Sequence, residues 1–125
     1  MAEEIKIRSG IEVTKDSFKF ADPNRPTLTF DMAGDGGGNP GVIDIGTSEE
    51  DVDLSEFATL GWVWMRNLDD TNYVTWGPKS GGVMVALGRL EPGEPAGPFR
   101  LEPGITLRMV ADTAACKVQV NAFPD

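Results

Sequence analysis

Three groups of residues carry side chains able to do chemistry. Asp31, Asp35 and Asn39 lie in or beside the glycine-rich stretch 33–41, Ala-Gly-Asp-Gly-Gly-Gly-Asn-Pro-Gly. Clustered oxygens are what a hard cation such as calcium needs. The spacing departs from Asp-x-Asp-x-Asp-Gly, and no glutamate closes the set, so the stretch reads as a flexible loop. Asp69 and Asp70 form an adjacent carboxylate pair, the residue type that glycoside hydrolysis uses. Neighbouring strand residues point to opposite faces, however, and Asp69-Asp70-Thr71-Asn72 has the short polar side chains of a turn. Cys116 is the single cysteine and reads as a small residue opening a strand. Alone it cannot form an intrachain disulfide, which fits a protein made and used without oxidation.

The chain has no histidine. That removes the commonest general base, the Ser-His-Asp and Cys-His arrangements, and the usual zinc and iron ligands. The glycines at 34–38 lack the lysine of a phosphate-binding loop. The sequence therefore predicts a non-enzymatic protein with no cofactor and no metal site.

Aromatic residues are the remaining candidates. Trp62, Trp64, Tyr73 and Trp76 all fall within residues 58–77. In 60–67, Leu60, Trp62 and Trp64 share one parity, while Val63 and Met65 share the other. A strand with bulk on both faces is expected at the centre of a sheet, covered on both sides. With the turn at 69–72 and a returning strand at 73–76, the stretch predicts a hairpin that nucleates the core. The competing reading is an exposed platform on which sugar rings stack.

Around this hairpin the chain reads as all-β. Fifteen glycines and nine prolines leave few windows for three helical turns. Short alternating runs appear instead: Ile5 and Ile7, Ile11 and Val13, Phe18 and Phe20, then Leu28, Phe30 and Met32. Val42 to Ile45 is a short strand, and 53–57 is a helical turn or an irregular lead into the hairpin. Beyond it, 83–90 reads as one strand, 94–98 as an extended connector, and 105–109 and 118–122 as a final hairpin with its last strand near a sheet edge. Arg-Leu-Glu-Pro-Gly occurs at 89–93 and again at 100–104. Pro-Gly favours a type II turn, because proline fixes the first φ and glycine supplies the positive one. The expected fold is one antiparallel β-sandwich over residues 1–125, jelly-roll-like, with about nine or ten strands.

Charge narrows the partners. Twenty acidic side chains against eleven basic ones give a net charge of −9. That balance opposes binding to nucleic acid, which needs lysine and arginine, and opposes attraction to anionic membranes. The N-terminus is acidic where a signal peptide is basic, and no run approaches the ~20 apolar residues of a membrane span. The expectation is a protein made in a cytoplasm and not exported by a cleaved signal.

Four runs carry a resemblance: 45–50 (Ile-Gly-Thr-Ser-Glu-Glu), 61–74 (Gly-Trp-Val-Trp-Met-Arg-Asn-Leu-Asp-Asp-Thr-Asn-Tyr-Val), 100–107 (Arg-Leu-Glu-Pro-Gly-Ile-Thr-Leu) and 111–120 (Ala-Asp-Thr-Ala-Ala-Cys-Lys-Val-Gln-Val). Together they resemble small structural proteins encoded in tailed-bacteriophage morphogenesis clusters, over residues 42–120. The motifs are turns and strands, so no catalytic residue carries over. The resemblance implies a virion component with a β-sandwich or jelly-roll fold, a cement or decoration protein on the capsid shell, acting as a dimer or trimer. A tail or neck accessory protein is the close alternative, and a carbohydrate-binding or host-recognition module the runner-up. Its partners would be the major capsid protein or other virion proteins. Residues 1–8 and the 33–41 loop, neither needed to close a sandwich, are the expected contacts, with Met1, Glu3, Glu4, Ile5, Asp35 and Asn39 as the candidate residues.

Overall fold

The computed structural model describes residues 4–21, 27–32, 37–57 and 59–124. Met1, Glu3 and Asp35, three of the expected contact residues, lie outside them. The chain divides into two compact units, Met1–Ala33 and Gly34–Asp125. Each is described by itself.

The first unit holds two small antiparallel ribbons. β1 (Ile5–Ile7) pairs with β4 (Leu28–Phe30), and β2 (Glu12–Lys15) pairs with β3 (Phe18–Ala21). The second ribbon turns at Asp16-Ser17, with Asp16 at a φ of +53°, a conformation that aspartate tolerates better than most residues. Register sets Val13 opposite Phe20 and Lys15 opposite Phe18. Directly paired residues share a face, so Val13, Lys15, Phe18 and Phe20 lie together, with Glu12, Thr14, Lys19 and Ala21 on the other side. Every residue of this ribbon is exposed.

The second unit is a jelly roll, and its nine remaining strands follow in order. They are β5 (Asn39–Ile45), β6 (Glu50–Asp51), β7 (Leu60–Asn67), β8 (Val74–Ser80), β9 (Val83–Met84), β10 (Gly88–Leu90), β11 (Pro95–Arg100), β12 (Leu107–Ala111) and β13 (Cys116–Pro124). One sheet runs β11-β7-β13-β5, the other β10-β8-β12-β6, with β9 also on β8. All pairings are antiparallel. Four of them nest: β5 with β13, β6 with β12, β7 with β11, β8 with β10. A long ribbon of nested pairs, folded over so that successive pairs alternate between two sheets, is the jelly-roll arrangement. Among the described residues no helix forms.

One core joins the two sheets. Ile45, Val63, Met65, Val118, Val120 and Ala122 meet Val74, Leu90, Leu107, Met109 and Ala111 from the facing sheet. The period-two pattern drives this, since β7 buries Gly61, Val63, Met65 and Asn67 and leaves the alternate residues half-buried. Each such apolar side chain contributes about 1.5–3 kcal/mol on burial.

This topology corrects several expectations. The stretch 58–77 is not a hairpin, because β7 and β8 belong to different sheets and residues 68–73 arch between them. Trp62 and Trp64 are not in the core. They occupy the outer face of β7, a strand that is interior to its sheet, with β11 and β13 on its flanks. Trp76 is half-buried against the core, and Tyr73 half-buried just before β8. The last two strands do not pair either: β12 and β13 sit in opposite sheets, and β13 is interior, between β7 and β5. For both pairs of strands the nested order outranks the proximity in sequence that a hairpin reading assumes.

Smaller differences have local causes. The expected connector 94–98 is the start of β11, an edge strand with a register shift between Ala96 and Phe99, where prolines are tolerated because one side makes no ladder bonds. The expected strand 83–90 runs beside β8 throughout but is broken at 85–87, where Val85 and Leu87 still donate to Pro78 O and Trp76 O. That close approach requires Gly77, whose added Cβ would stand 1.9 Å from Val85 O. Residues 53–57 form a turn, with the Asp53 carboxylate accepting the backbone N–H and hydroxyl of Ser55. The two Pro-Gly corners are turns as expected, with Gly93 and Gly104 at φ of +80° and +88°.

Candidate functional site

The carboxylates do not converge on a reaction. Asp69 accepts the N–H groups of Thr71 and Asn72 at 3.0 and 2.6 Å, and those two bonds hold its carboxyl below the ordinary range. Asp70 meets the Thr71 hydroxyl. The pair therefore builds the arch between β7 and β8, as its turn chemistry predicts. Beneath it, Asn67 is fully buried. Its Nδ2 donates to Asn72 O and Leu90 O, and its Oδ1 accepts from Asp69 N–H.

A second polar cluster staples the shortest strand. Arg108 on β12 reaches Asp51 Oδ1 at 2.8 Å and Glu49 Oε1 at 2.9 Å, and donates to Gly82 O. Lys79 adds a 3.5 Å pair with Asp51. The Arg108 hydrogen bond is the leading cause that holds both carboxyls below their ordinary values, joined at Glu49 by the Met84 N–H. Cys116 is buried, and burial first, then the charges of Asp69 and Asp112, pushes its thiol up. Among the described residues no three His, Cys, Asp or Glu side chains gather as a metal site.

The expected contact residues are dispersed. Glu4 is exposed and accepts the Met32 N–H at 3.2 Å, and Ile5 is half-buried opposite Phe30. Asn39 opens β5 opposite Ala122, and its side-chain amide donates to Glu56. Residues 37–41 are thus part of the sandwich rather than a loop outside it: Gly38 donates to Ala122 O, and Asn121 Nδ2 donates to Gly38 O.

Among the described residues, three surfaces stand out that could meet another molecule. The first is the outer face of the β7 sheet. Trp62 and Trp64 line up there with Arg66, and their cross-strand neighbours Arg100 and Asn121 lie beside them. Guanidinium groups rest on the rings, with Arg100 at 4.7 Å from Trp62 and Arg66 at 5.3 Å from Trp64. Arg66 Nε is buried without a hydrogen-bond partner. Tyr73 lies apart under Arg89 at 3.9 Å, so the four aromatics do not form one platform.

The second surface is a largely apolar cleft of about 470 Å³ in the second unit, whose lining includes Trp76, Leu87, Phe99 and Ile105 together with the charged Arg100 and Glu102. Trp76 and Phe99 stack across the two sheets with centroids 5.7 Å apart. The third is the ribbon of β2 and β3, whose Val13, Phe18 and Phe20 are 40%, 60% and 50% exposed.

No family model, curated protein or solved structure matches this chain. Its surfaces therefore carry the functional argument by their own chemistry. Of those surfaces, the sequence signalled the ribbon only as two alternating runs and placed the tryptophans in the core. It gave no sign of the cleft, because Leu87, Phe99 and Ile105 come from separate strands and corners.

Proposed function

We propose that this chain is a non-enzymatic structural protein of a tailed-bacteriophage virion, a decoration protein that binds the outer capsid shell and bridges its capsomers. The observation that carries the reading is the β2–β3 ribbon. A two-stranded ribbon is marginal in water by itself. Here one of its faces presents Val13, Phe18 and Phe20 uncovered, and contiguous exposed apolar surface of this kind marks contact with another molecule. The contact arm of the proposal is thus residues 11–21 in addition to 1–8. The resemblance in residues 42–120 and the jelly-roll topology, an architecture that viral capsid and lectin domains use, agree with it. Partners in this reading are the major capsid protein and further copies of the chain, on the virion, with no role for nucleic acid or membrane.

The test is immunogold labelling of purified particles of the phage that encodes the chain, paired with rebinding of a Phe18→Ser, Phe20→Ser double variant to shells stripped of the protein. Label over the shell and loss of rebinding support the proposal. Label confined to the tail moves the protein to a tail or neck accessory role, and particles without label overturn the virion reading.

A second reading has one observation in its favour. Trp62 and Trp64 face outward beside polar Arg66 and Asn121, the combination of ring and hydrogen-bonding groups that binds sugars. Trp64→Ala losing binding to an immobilised glycan, with stability unchanged, would favour that module over the shell protein.

A further inference from the structure

The outer face of the β7 sheet has the opposite charge to the unit that carries it. From residue 34 onward the chain has six basic against fourteen acidic side chains. Asp44 is the only acidic residue in the four strands of this sheet, β5, β7, β11 and β13. Register puts three of the six bases, Arg66, Arg100 and Lys117, on its outer face. Lys117 and Asp44 pair with each other at 2.9 Å, which leaves the two arginines beside Trp62 and Trp64. Glu94, next to β11, is turned into its own corner, where it accepts the Glu91 N–H at 2.8 Å. Arg66 is the unusual member. Lys79, Arg89, Arg108 and Lys117 each have a carboxylate within 3.5 Å. Among the described residues Arg66 has neither an ion pair nor a hydrogen bond: it rests on Trp64, with its Nε buried and unpartnered. A guanidinium taken partly out of water is ordinarily matched by an acceptor, and here the chain supplies none.

We propose that this face binds an acidic polysaccharide, with the terminal nitrogens of Arg66 holding one of its carboxylates. The inference rests on the reading of Trp62 and Trp64 as a sugar site and names the class of sugar. Charge complementarity selects an anion, and the planar guanidinium fork fits a carboxylate with two parallel hydrogen bonds. Arg100, cross-strand from Trp62, stands four β7 positions from Arg66, about 13 Å along the strand. Two cations so spaced suit a chain of acidic sugars better than a single one. The rest of the face favours sugar over peptide. β7 already spends its backbone on β11 and β13, so an added peptide strand finds no free ladder. Tryptophan rings and side-chain amides instead suit rings that carry hydroxyls. Gln119 donates to Asn121 Oδ1, and Asn121 donates to Gly38 O, which fixes both amides in place. Two arginines are too few for a phosphate backbone.

The test is titration calorimetry of the full chain with polygalacturonate, hyaluronate and polysialic acid, and with neutral dextran and galactan. About 0.15 M salt screens charges more than about 8 Å away, so the acidic remainder of the surface does not mask contacts on this face. At least one of the carboxylated polymers should bind, and more tightly than either neutral one. Arg66→Gln should weaken that binding about 10-fold or more, and Arg100→Gln serves as the second variant should Arg66→Gln fail to fold by circular dichroism. Arg89→Gln, on the other sheet, should bind as the wild type does. Neutral polymers bound as tightly as acidic ones, with binding lost in Trp64→Ala, overturn the acidic class and keep the sugar site. Acidic binding indifferent to both Arg66→Gln and Arg100→Gln overturns the assignment of this face. Tighter binding of polyglutamate or a thymidine oligonucleotide, lost in Arg66→Gln, overturns the glycan as ligand. No binding to any of the five polysaccharides overturns both this inference and the sugar reading.

Discussion

Asn67 gives the sharpest test of how the second unit is held together. It is the only polar residue among the buried described positions, and its amide ties three segments: the arch at Asp69 and Asn72, β7 itself, and β10 through Leu90 O. Asn67→Leu keeps the volume and removes all three bonds. The bond to Leu90 O is buried and the other two are partly so. Leaving a buried group unsatisfied costs about 1–3 kcal/mol, and each partly exposed bond contributes about 0.5–1 kcal/mol. The expected loss is therefore about 2–4 kcal/mol in urea unfolding, or a melting temperature lower by roughly 8–15 °C. Asn67→Asp keeps the acceptor for Asp69 N–H but turns carboxylate oxygen toward two carbonyls. It should be worse than the leucine variant at neutral pH and should recover partly on acidification, once the carboxyl is protonated and can donate. A leucine variant within about 0.5 kcal/mol of the wild type, the range of an ordinary surface substitution, would refute the claim that this amide anchors the arch.

Two further outcomes follow from titratable groups. Glu49 and Asp51 are held below their ordinary values of 4.5 and 3.8 by Arg108. Their contribution is therefore complete above those values and is lost as pH falls through the lower folded values. Arg108→Met should flatten the acid limb of a stability-against-pH curve measured by urea unfolding, and an unchanged limb would show that the cluster is inert. Cys116 is 1% exposed with a raised thiol, so a thiol reagent at pH 8 should label it only at the rate of unfolding. Labelling of the native protein as fast as a free thiol would mean that β13 opens locally.

The sequence carried the local physics and missed the long-range pairing. Turn chemistry at 69–72, the Pro-Gly corners and the alternation in 118–122 depend on neighbours a few residues away, and each is read correctly. The fold class follows from those signals together. Pairing is another matter. Nothing local in Leu60–Asn67 or Val74–Ser80 says that each seeks a distant partner, and a four-residue polar turn between two apolar runs reads as a hairpin. The outward placement of Trp62 and Trp64 was hidden for a related reason. With bulk on both parities of β7, only the long Arg66 and Arg100 side chains covering the rings distinguish the outer face from the core, and Arg100 comes from another strand. The candidate surfaces were the least legible part, because the cleft draws Trp76, Leu87, Phe99 and Ile105 from separate strands and corners.

The nested pairing also sets the order in which the molecule can be made. Ile45 pairs with Cys116 and Asn39 with Ala122, so the first strand of the roll waits for the last. Such distant contacts close slowly, on timescales of milliseconds to seconds for sheet-rich folds. A ribosome adds about 5–20 residues each second. While β5, β7 and β8 emerge, the place that β13 will take between β5 and β7 stands vacant, and Val63 and Met65 have no cover on that side. The nascent roll therefore stays exposed to mispairing until β13 leaves the exit tunnel and fills that place.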